Sequence, residues 1–475
     1  MNKSSTVRTR MAPSPTGEIH VGSMAMLLKN YAYAKKYSGK FILRIEDTDQ
    51  TREVPGAVSR ILKTIKAYGL TWDEGPDIGG PYAPYIQSKR LSLYRERAEQ
   101  LVAQDKAFYC FCTREQLEKV RAEQIANKQQ PKYVGTCRQL SSQEVANRLA
   151  DKHPAVIRLK VPKEEVITFR DLIRGTITVS GADVDDQVLL KTDGFPTYHL
   201  AVVVDDHAMQ ISHILRGEEW ISSTPKHVLL YNAFGWRPPV FAHIPIFLNP
   251  NGKGKMSKRK GEVSAQSFLD QGFLPESLLN FFMILGWSHP EQKEVLTLTE
   301  YIEHFDPADI SPNSVAFDIV KLRWLNGVYI RALSTTELLE RLKPFIPPDC
   351  PLELVKKLLP LVQERLVTLS DFEQYTDFFY RPISVDQTRL CKKATPELVK
   401  EQLKITTSSL TAIATWDEQA IETVVRNLQE QHNWNKSQYF MLLRLAVSGQ
   451  TATPPLFSMI EVLGKKRTLE RLSLL

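Results

Sequence analysis

Three groups of residues in this sequence have types and spacings that could do chemistry. The first is His20-Val21-Gly22-Ser23, preceded by a loop carrying Pro13, Pro15 and Gly17. The prolines and the glycine hold an unusual loop conformation. Gly22 removes a side chain where a helix begins, so a ligand can approach the backbone there. A helix N-terminus offers free N–H groups and a positive dipole to phosphate. A histidine in the same corner can donate a hydrogen bond to a phosphoryl oxygen that gains charge in a transition state. The second group is the run 252–261, in which five basic residues lie between Gly252 and Gly261. Lys255 and Lys258 bracket Ser257, and a mobile lid of this kind could neutralise a triphosphate. The plainer reading of such a run is a solvated basic turn. The third group is Cys110, Cys112 and Cys137. Zinc wants four ligands, so the pattern reads either as part of a zinc site or as reduced cysteines in a strand and turn.

These residues need elements to position them. A short apolar run ends at the Pro13–Gly17 loop, the periodicity predicts a helix over 24–37, and an alternating strand follows over 41–47. That strand–loop–helix–strand unit begins a nucleotide-binding α/β sheet. Helical spacing of Val58, Ile61, Leu62 and Ile65 predicts a helix over 51–68. Further helices are expected over 87–104 and 113–128, the latter capped by Thr113. Strands are expected over 108–112, 155–161 and 177–179, and a hairpin over 187–198. The continuous apolar run 200–204 reads as a strand in the middle of a parallel sheet, with Asp205-Asp206-His207 at its carboxyl end. A strand over 211–215 ends at Arg216, a helix covers 226–234, and an apolar strand over 240–248 leads into the basic loop. Helices follow over 276–285 and 318–325. From 335 onward the pattern is helical: 335–345, 352–380, 395–414, 417–432, 436–448 and 456–473, punctuated by Pro347-Pro348, Pro382 and Pro454-Pro455.

Composition sets bounds. A chain of 475 residues is too long for one ordinary core, so two to four domains are expected. Hydrophobic residues make up 43% and charged residues 24%, an ordinary globular mixture. The net charge of +7 is compatible with a polyanionic partner. No apolar run approaches the roughly 20 residues of a membrane span. The first nine residues hold no apolar signal core, so a cytoplasmic enzyme is expected. Five cysteines, an odd number, argue against a disulfide framework.

The chain also resembles a known family. His20-Val21-Gly22-Ser23 is similar to the "HIGH" signature of class I aminoacyl-tRNA synthetases, and Lys255-Met256-Ser257-Lys258-Arg259 to their "KMSKS" signature. The strings Arg10-Met11-Ala12-Pro13-Ser14-Pro15-Thr16-Gly17, Arg44-Ile45-Glu46-Asp47-Thr48-Asp49, Pro196-Thr197-Tyr198-His199-Leu200-Ala201, Val204-Asp205-Asp206-His207 and Arg216-Gly217-Glu218-Glu219-Trp220 resemble bacterial glutamyl-tRNA synthetases. The resemblance runs through nearly the whole chain.

It implies an α/β fold: a Rossmann-like catalytic domain, an α+β acceptor-binding insertion and an all-α C-terminal anticodon-binding domain. The expected boundaries are 1–85 and 196–240 for the two catalytic halves and 86–195 for the insertion. A stem-contact region with the basic loop takes 241–330, and the helical domain 331–475. The implied reaction is ATP-dependent ligation of L-glutamate to tRNA(Glu) through glutamyl-adenylate, releasing pyrophosphate and then AMP. A non-discriminating enzyme that also charges tRNA(Gln) is the alternative. An unrelated adenylyltransferase is disfavoured by the long helical tail and the glutamate-type arginines. An inactive RNA-binding paralogue is disfavoured by the intact His20, Lys255 and Lys258.

By the same resemblance, the catalytic residues are His20, Lys255 and Lys258, and ATP is held by His20, Gly22, Ser23, Glu219 and Lys258. Arg10 and Arg216 bind the amino acid, Glu46 holds its ammonium, and Ala12, Ser14 and Tyr198 complete the pocket. Val202 stands where the family often has an asparagine, a departure from the family's pattern at one amino-acid contact. Arg365, within Glu364-Arg365-Leu366-Val367-Thr368-Leu369, is expected to face the anticodon. Magnesium would accompany ATP. Zinc would sit on Cys110, Cys112, Cys137 and Tyr133, since Gln139 replaces the histidine that some relatives supply. The expected partners are tRNA(Glu), glutamate and ATP, with no membrane, and the expected state is a monomer.

Overall fold

The computed structural model describes residues 6–254, 256, 263–390 and 394–473. It divides into two compact units. The first runs to Phe268 and takes in Leu278–Ile319; the second takes Leu269–Ser277 and everything from Val320 on.

In the first unit, β1 (Arg8–Met11) is followed by α1 (Val21–Lys36) and β2 (Lys40–Leu43). The two strands pair in parallel from Arg8↔Lys40 to Met11↔Leu43. After α2 (Ala57–Ala67) and α3 (Leu91–Ala103) comes β3 (Ala107–Cys110). Two polar helices, α4 (Arg114–Ala126) and α5 (Ser142–Ala150), bury no residue. Each opens on a reciprocal capping box, Thr113 with Gln116 and Ser141 with Glu144, which satisfies N–H groups that packing does not reach. Next come β4 (Val156–Leu159), the hairpin of β5 (Val166–Asp171) and β6 (Gly175–Ser180), and β7 (Val188–Leu190). β3, β4 and β7 form an antiparallel sheet. After α6 (Tyr198–Ala208), β8 (His213–Gly217), α7 (Thr224–Ala233) and β9 (Val240–Ile244) complete a second parallel crossover. The order β6-β5-β9-β8 places the hairpin on the edge of that sheet. β1 is tied to it where Ser212 N–H donates to the Arg8 carbonyl at 3.0 Å.

Several expectations are corrected. The run 200–204 is the middle of helix α6, not a strand, and Asp205-Asp206-His207 lie inside that helix instead of at a strand's carboxyl end. All of Leu200–Val204 is buried, and a continuous apolar run reads the same in an enclosed helix as in a central strand. The hairpin expected over 187–198 stops at one antiparallel bridge, Leu190↔Pro196, because α6 begins at Tyr198. The helix expected from 51 starts at Ala57, after Gly56 in the left-handed region at φ 74°. The helix over 352–380 breaks into Leu352–Val362 and Asp371–Tyr380, and that over 456–473 breaks at Gly464, φ 87°.

The buried side of α6 carries charge. Asp206 pairs with Arg10, Nε to Oδ1 at 3.2 Å, and with Arg44, Nη1 to Oδ1 at 2.7 Å. Asp205 accepts from Arg90 at 2.7 Å, Gln87 at 2.9 Å and the Tyr94 hydroxyl at 2.7 Å.

The second unit is helical about one continuous apolar core that includes Leu338, Leu358, Phe372, Leu403, Tyr439 and Met459. Asn326 stitches it: its Oδ1 accepts from Leu274 N–H at 2.8 Å and its Nδ2 donates to the Val367 carbonyl at 2.6 Å. Gly272, φ 82°, fits only without a side chain, since a Cβ would sit 2.6 Å from Ser370 N. Among the described residues no helix is long and apolar enough to cross a membrane.

Removing one partner of a buried ion pair strands the other, at about 3–5 kcal/mol. Asp205→Ala, which orphans Arg90, is expected to lower the stability of the first unit by that amount, read as a shift of its urea-unfolding midpoint. An unmoved midpoint would contradict this account of the buried charge.

Candidate active site

The carboxyl ends of β1 and β8 and the N-terminus of α1 open on a cavity of about 590 Å³. Arg10, Ala12, Ser14, His20, Gly22, Ser23, Glu46, Tyr198, Arg216 and Glu219 all line it, so every described residue expected to bind ATP or amino acid faces one space. Trp220, Phe247 and Met256 line it too; the first and last lie in the motif strings but none was among the expected binding residues. Lys255 and Lys258 lie outside the described residues. Val202 is buried on α6 within the apolar core and is not on the cavity wall. Arg365 is exposed in the second unit, and its charge, after burial, helps to lower the Arg444 pKa.

His20 is the N-cap of α1, with extended backbone. Its Nδ1 accepts the Gly22 N–H at 2.9 Å, so the imidazole is neutral and its proton is on Nε2. A Cβ on Gly22 would lie 3.1 Å from that Nδ1, which explains the glycine: it lets the histidine fold back onto the helix start.

Glu46 follows β2 and receives Arg44 Nη2 at 2.9 Å. Its side chain is 9% exposed, and burial raises its carboxyl pKa against the opposing pull of Arg44 and Arg10. Such a group gains from a bound cation.

Arg216 is the fourth residue of β8 and only 6% exposed. It donates to His243 Nε2 at 3.0 Å, the Tyr198 hydroxyl at 3.2 Å, His227 Nδ1 at 3.2 Å and Thr224 Oγ1 at 2.7 Å. All four are neutral groups, and among the described residues no carboxylate pairs with it. Burial lowers its pKa, but a guanidinium stays charged at neutral pH. A buried cation held by neutral acceptors is a site for an anion. Burial keeps Tyr198 protonated, and its ring lies 4.3 Å from Trp220. His227 in turn reaches His199, Nε2 to Nδ1, at 3.0 Å.

Apart from the cavity, Cys110, Cys112 and Cys137 bring their sulfurs within 4.8 Å of one another. Cys112 Sγ is 3.7 Å from Cys137 Sγ, and the Tyr133 hydroxyl is 3.4 Å from Cys110 Sγ and 3.8 Å from Cys112 Sγ. A tetrahedron with ~2.3 Å metal–sulfur bonds has edges of ~3.8 Å, so this donor set fits zinc. Burial alone would raise the Cys110 thiol, yet hydrogen bonding with Tyr133, the Cys112 backbone and Arg158 holds it below its ordinary value. Gln139 is exposed and takes no part.

Comparison with known proteins follows the same lines. Residues 6–324 match the family described as tRNA synthetases class I (E and Q), catalytic domain, and residues 337–475 match the anticodon binding domain. Fold and site are therefore those of a class I aminoacyl-tRNA synthetase. The chain is 45% identical to a glutamate–tRNA ligase of Dehalococcoides mccartyi, covering 98% of this chain and 97% of that one. It is 44% identical to a glutamate–tRNA ligase of Acinetobacter baylyi, covering 98% and 92%. The crystal structure of a glutamate tRNA ligase from Elizabethkingia meningosepticum in complex with its amino acid has a TM-score of 0.90 to it, at 35% identity and 99% coverage of both chains. This chain belongs to the glutamate–tRNA ligase family.

Burial pushes His199 down from 6.5 to about 3 and His227 well below 6.5. In the unfolded chain both bind a proton near pH 6.5. Their contribution to stability is therefore complete above that value and declines as pH falls below it. His199→Asn is expected to flatten the loss of stability between pH 6.5 and 4, measured by urea unfolding at stepped pH. An unchanged slope would show that His199 titrates in the folded protein.

Proposed function

We propose that this protein ligates L-glutamate to tRNA(Glu) in the cytoplasm, as a monomer, using ATP. The observation that carries the substrate assignment is Arg216, a buried cation whose partners are all neutral, facing the same cavity as Glu46. Together they suit a ligand with a carboxylate and an ammonium.

In the first step a carboxylate oxygen of glutamate attacks the α-phosphorus of ATP, and the bond to pyrophosphate breaks. In the second, a hydroxyl of the terminal ribose of tRNA attacks the acyl carbon, and AMP leaves with the bonding pair. The side chains do no covalent chemistry; they position and neutralise. Arg216, Arg10 and Tyr198 orient the carboxylates, and Glu46 holds the ammonium. Ala12, Ser14, Ser23 and Glu219 shape the walls. His20 donates Nε2–H to a phosphate, beside the free N–H groups of α1 at Gly22. Lys255 and Lys258 neutralise the negative charge that pyrophosphate takes on. Magnesium, when bound with ATP, would supply further charge neutralisation. Basic residues, Arg365 among them, contact tRNA through salt-sensitive bonds.

The test is aminoacylation with labelled glutamate, ATP and magnesium, on purified tRNA(Glu) and tRNA(Gln) separately. Charging of tRNA(Glu) alone is the expected result. Charging of both would give the non-discriminating form, which no observation favours, and charging of neither would overturn the ligase reading.

One zinc ion on Cys110, Cys112, Cys137 and Tyr133 would staple a region whose helices α4 and α5 lack a core of their own. Elemental analysis of the purified chain is expected to find about one zinc per chain and much less in Cys137→Ser. A metal-free wild type with α4 and α5 intact would overturn this assignment.

A further inference from the structure

Arg216 is held by a network that substrate binding alone does not explain. β8 and β9 pair in parallel register, so Arg216 stands opposite His243. β5 joins β9 through Asp171↔Phe241. Three strands therefore deliver a carboxylate, an imidazole and a guanidinium in a row. Asp171 Oδ2 lies 2.7 Å from His243 Nδ1 and accepts the His243 backbone N–H at 3.0 Å. Arg216 Nε–H reaches His243 Nε2 at 3.0 Å. A guanidinium nitrogen only donates, so His243 Nε2 is the acceptor and its proton sits on Nδ1, facing Asp171. Asp171 is 1% exposed and His243 is fully buried. Burial would raise the Asp171 carboxyl, yet the His243 hydrogen bond and backbone N–H groups hold it below the usual carboxylate range.

The counter-charge of Arg216 is thus held one imidazole away. A carboxylate in direct contact would occupy the guanidinium fork and cancel the charge a ligand meets. A neutral imidazole fixes Nε and leaves that charge to the cavity. Four of the five N–H bonds go to neutral acceptors, and the remaining one is on Nη2.

Resting on the reading that Arg216 binds a carboxylate of glutamate, we propose that His243 and Asp171 are positioning residues for amino-acid binding: Asp171 fixes the His243 tautomer, and that tautomer aims Arg216 and keeps its charge uncompensated until glutamate arrives. Neither residue lines the cavity, so both act through Arg216, which His243 reaches directly and by way of Thr224.

The geometry gives opposite expectations for substitutions that look alike. In Asp171→Asn, Oδ1 remains committed to the N–H groups of Ile173 at 3.0 Å and Arg174 at 2.9 Å. The new amide nitrogen then faces His243 Nδ1 and gives up the His243 backbone N–H that Oδ2 accepted; it drives the imidazole proton to Nε2 and sets it against Arg216 Nε–H. His243→Leu removes the acceptor, whereas His243→Gln can restore one. The experiment is steady-state aminoacylation by the full chain, with KM measured for glutamate, ATP and tRNA. Loss of one hydrogen bond to a charged group corresponds to a change of about tenfold or more. Asp171→Asn and His243→Leu are expected to raise the glutamate KM by that factor, leaving the ATP and tRNA KM values within about twofold, and His243→Gln should recover most of the loss. A glutamate KM unchanged in both variants, or all three KM values rising together, overturns the proposal. If His243→Leu does not fold, Asp171→Asn against His243→Gln decides on the same terms. A wild-type chain that charges no glutamate would overturn the substrate reading instead, and the two failures are distinguished by that control.

Discussion

Asp205 and Asp206 stand side by side on one buried helix and divide most of their partners, because adjacent helical residues point to different sides, while Arg44 pairs with both. Asp206 takes Arg10 from β1 and Arg44 from the end of β2; Asp205 takes Arg90, Gln87 and Tyr94 from the segment leading into α3. Residues more than a hundred positions apart are thereby locked around α6. Removing either aspartate leaves a buried arginine without its carboxylate, Arg90 in one case and Arg10 in the other. The cavity inherits its shape from this cluster: Arg10 is one of its walls, and Arg44 passes the constraint on to Glu46.

The two arginines of the cavity are therefore different objects. Arg10 is already satisfied by Asp206, while Arg216 is surrounded by His243, His227, Thr224 and Tyr198 and keeps its charge. Histidines suit this task because burial keeps them neutral next to a cation. Each accepts at one nitrogen and donates at the other, so the network has a direction that carboxylates, which only accept, would not impose. At the start of α1 His20 uses the same device, with Gly22 N–H fixing its tautomer.

Away from the cavity the structure is held by more local means. α4 and α5 bury nothing and rely on capping boxes beside the cluster of Phe108, Cys110 and Cys137. The second unit depends on apolar packing around a long helical core, with Asn326 and Gly272 setting a close backbone approach.

What the sequence determined by itself is what local chemistry and family strings encode: the strand–loop–helix–strand start, the His20–Gly22 corner, the helical second half, the thiol cluster, and the residues that line the cavity. Thr113 as a cap was legible because capping is a matter of a few neighbouring residues. The sequence misled wherever periodicity was degenerate. Five consecutive apolar residues at 200–204 read as a strand, and only burial on every side made them a helix. Asp205 and Asp206 looked like a strand-end site, and tertiary structure made them the anchors of three arginines. Asp171 and His243 gave no signal at all, being 72 positions apart in sequence. Sheet register alone brings them into line with Arg216. Hydrogen-bond partners across a sheet are fixed by which strands pair and in what phase, and that is a property of the packed whole.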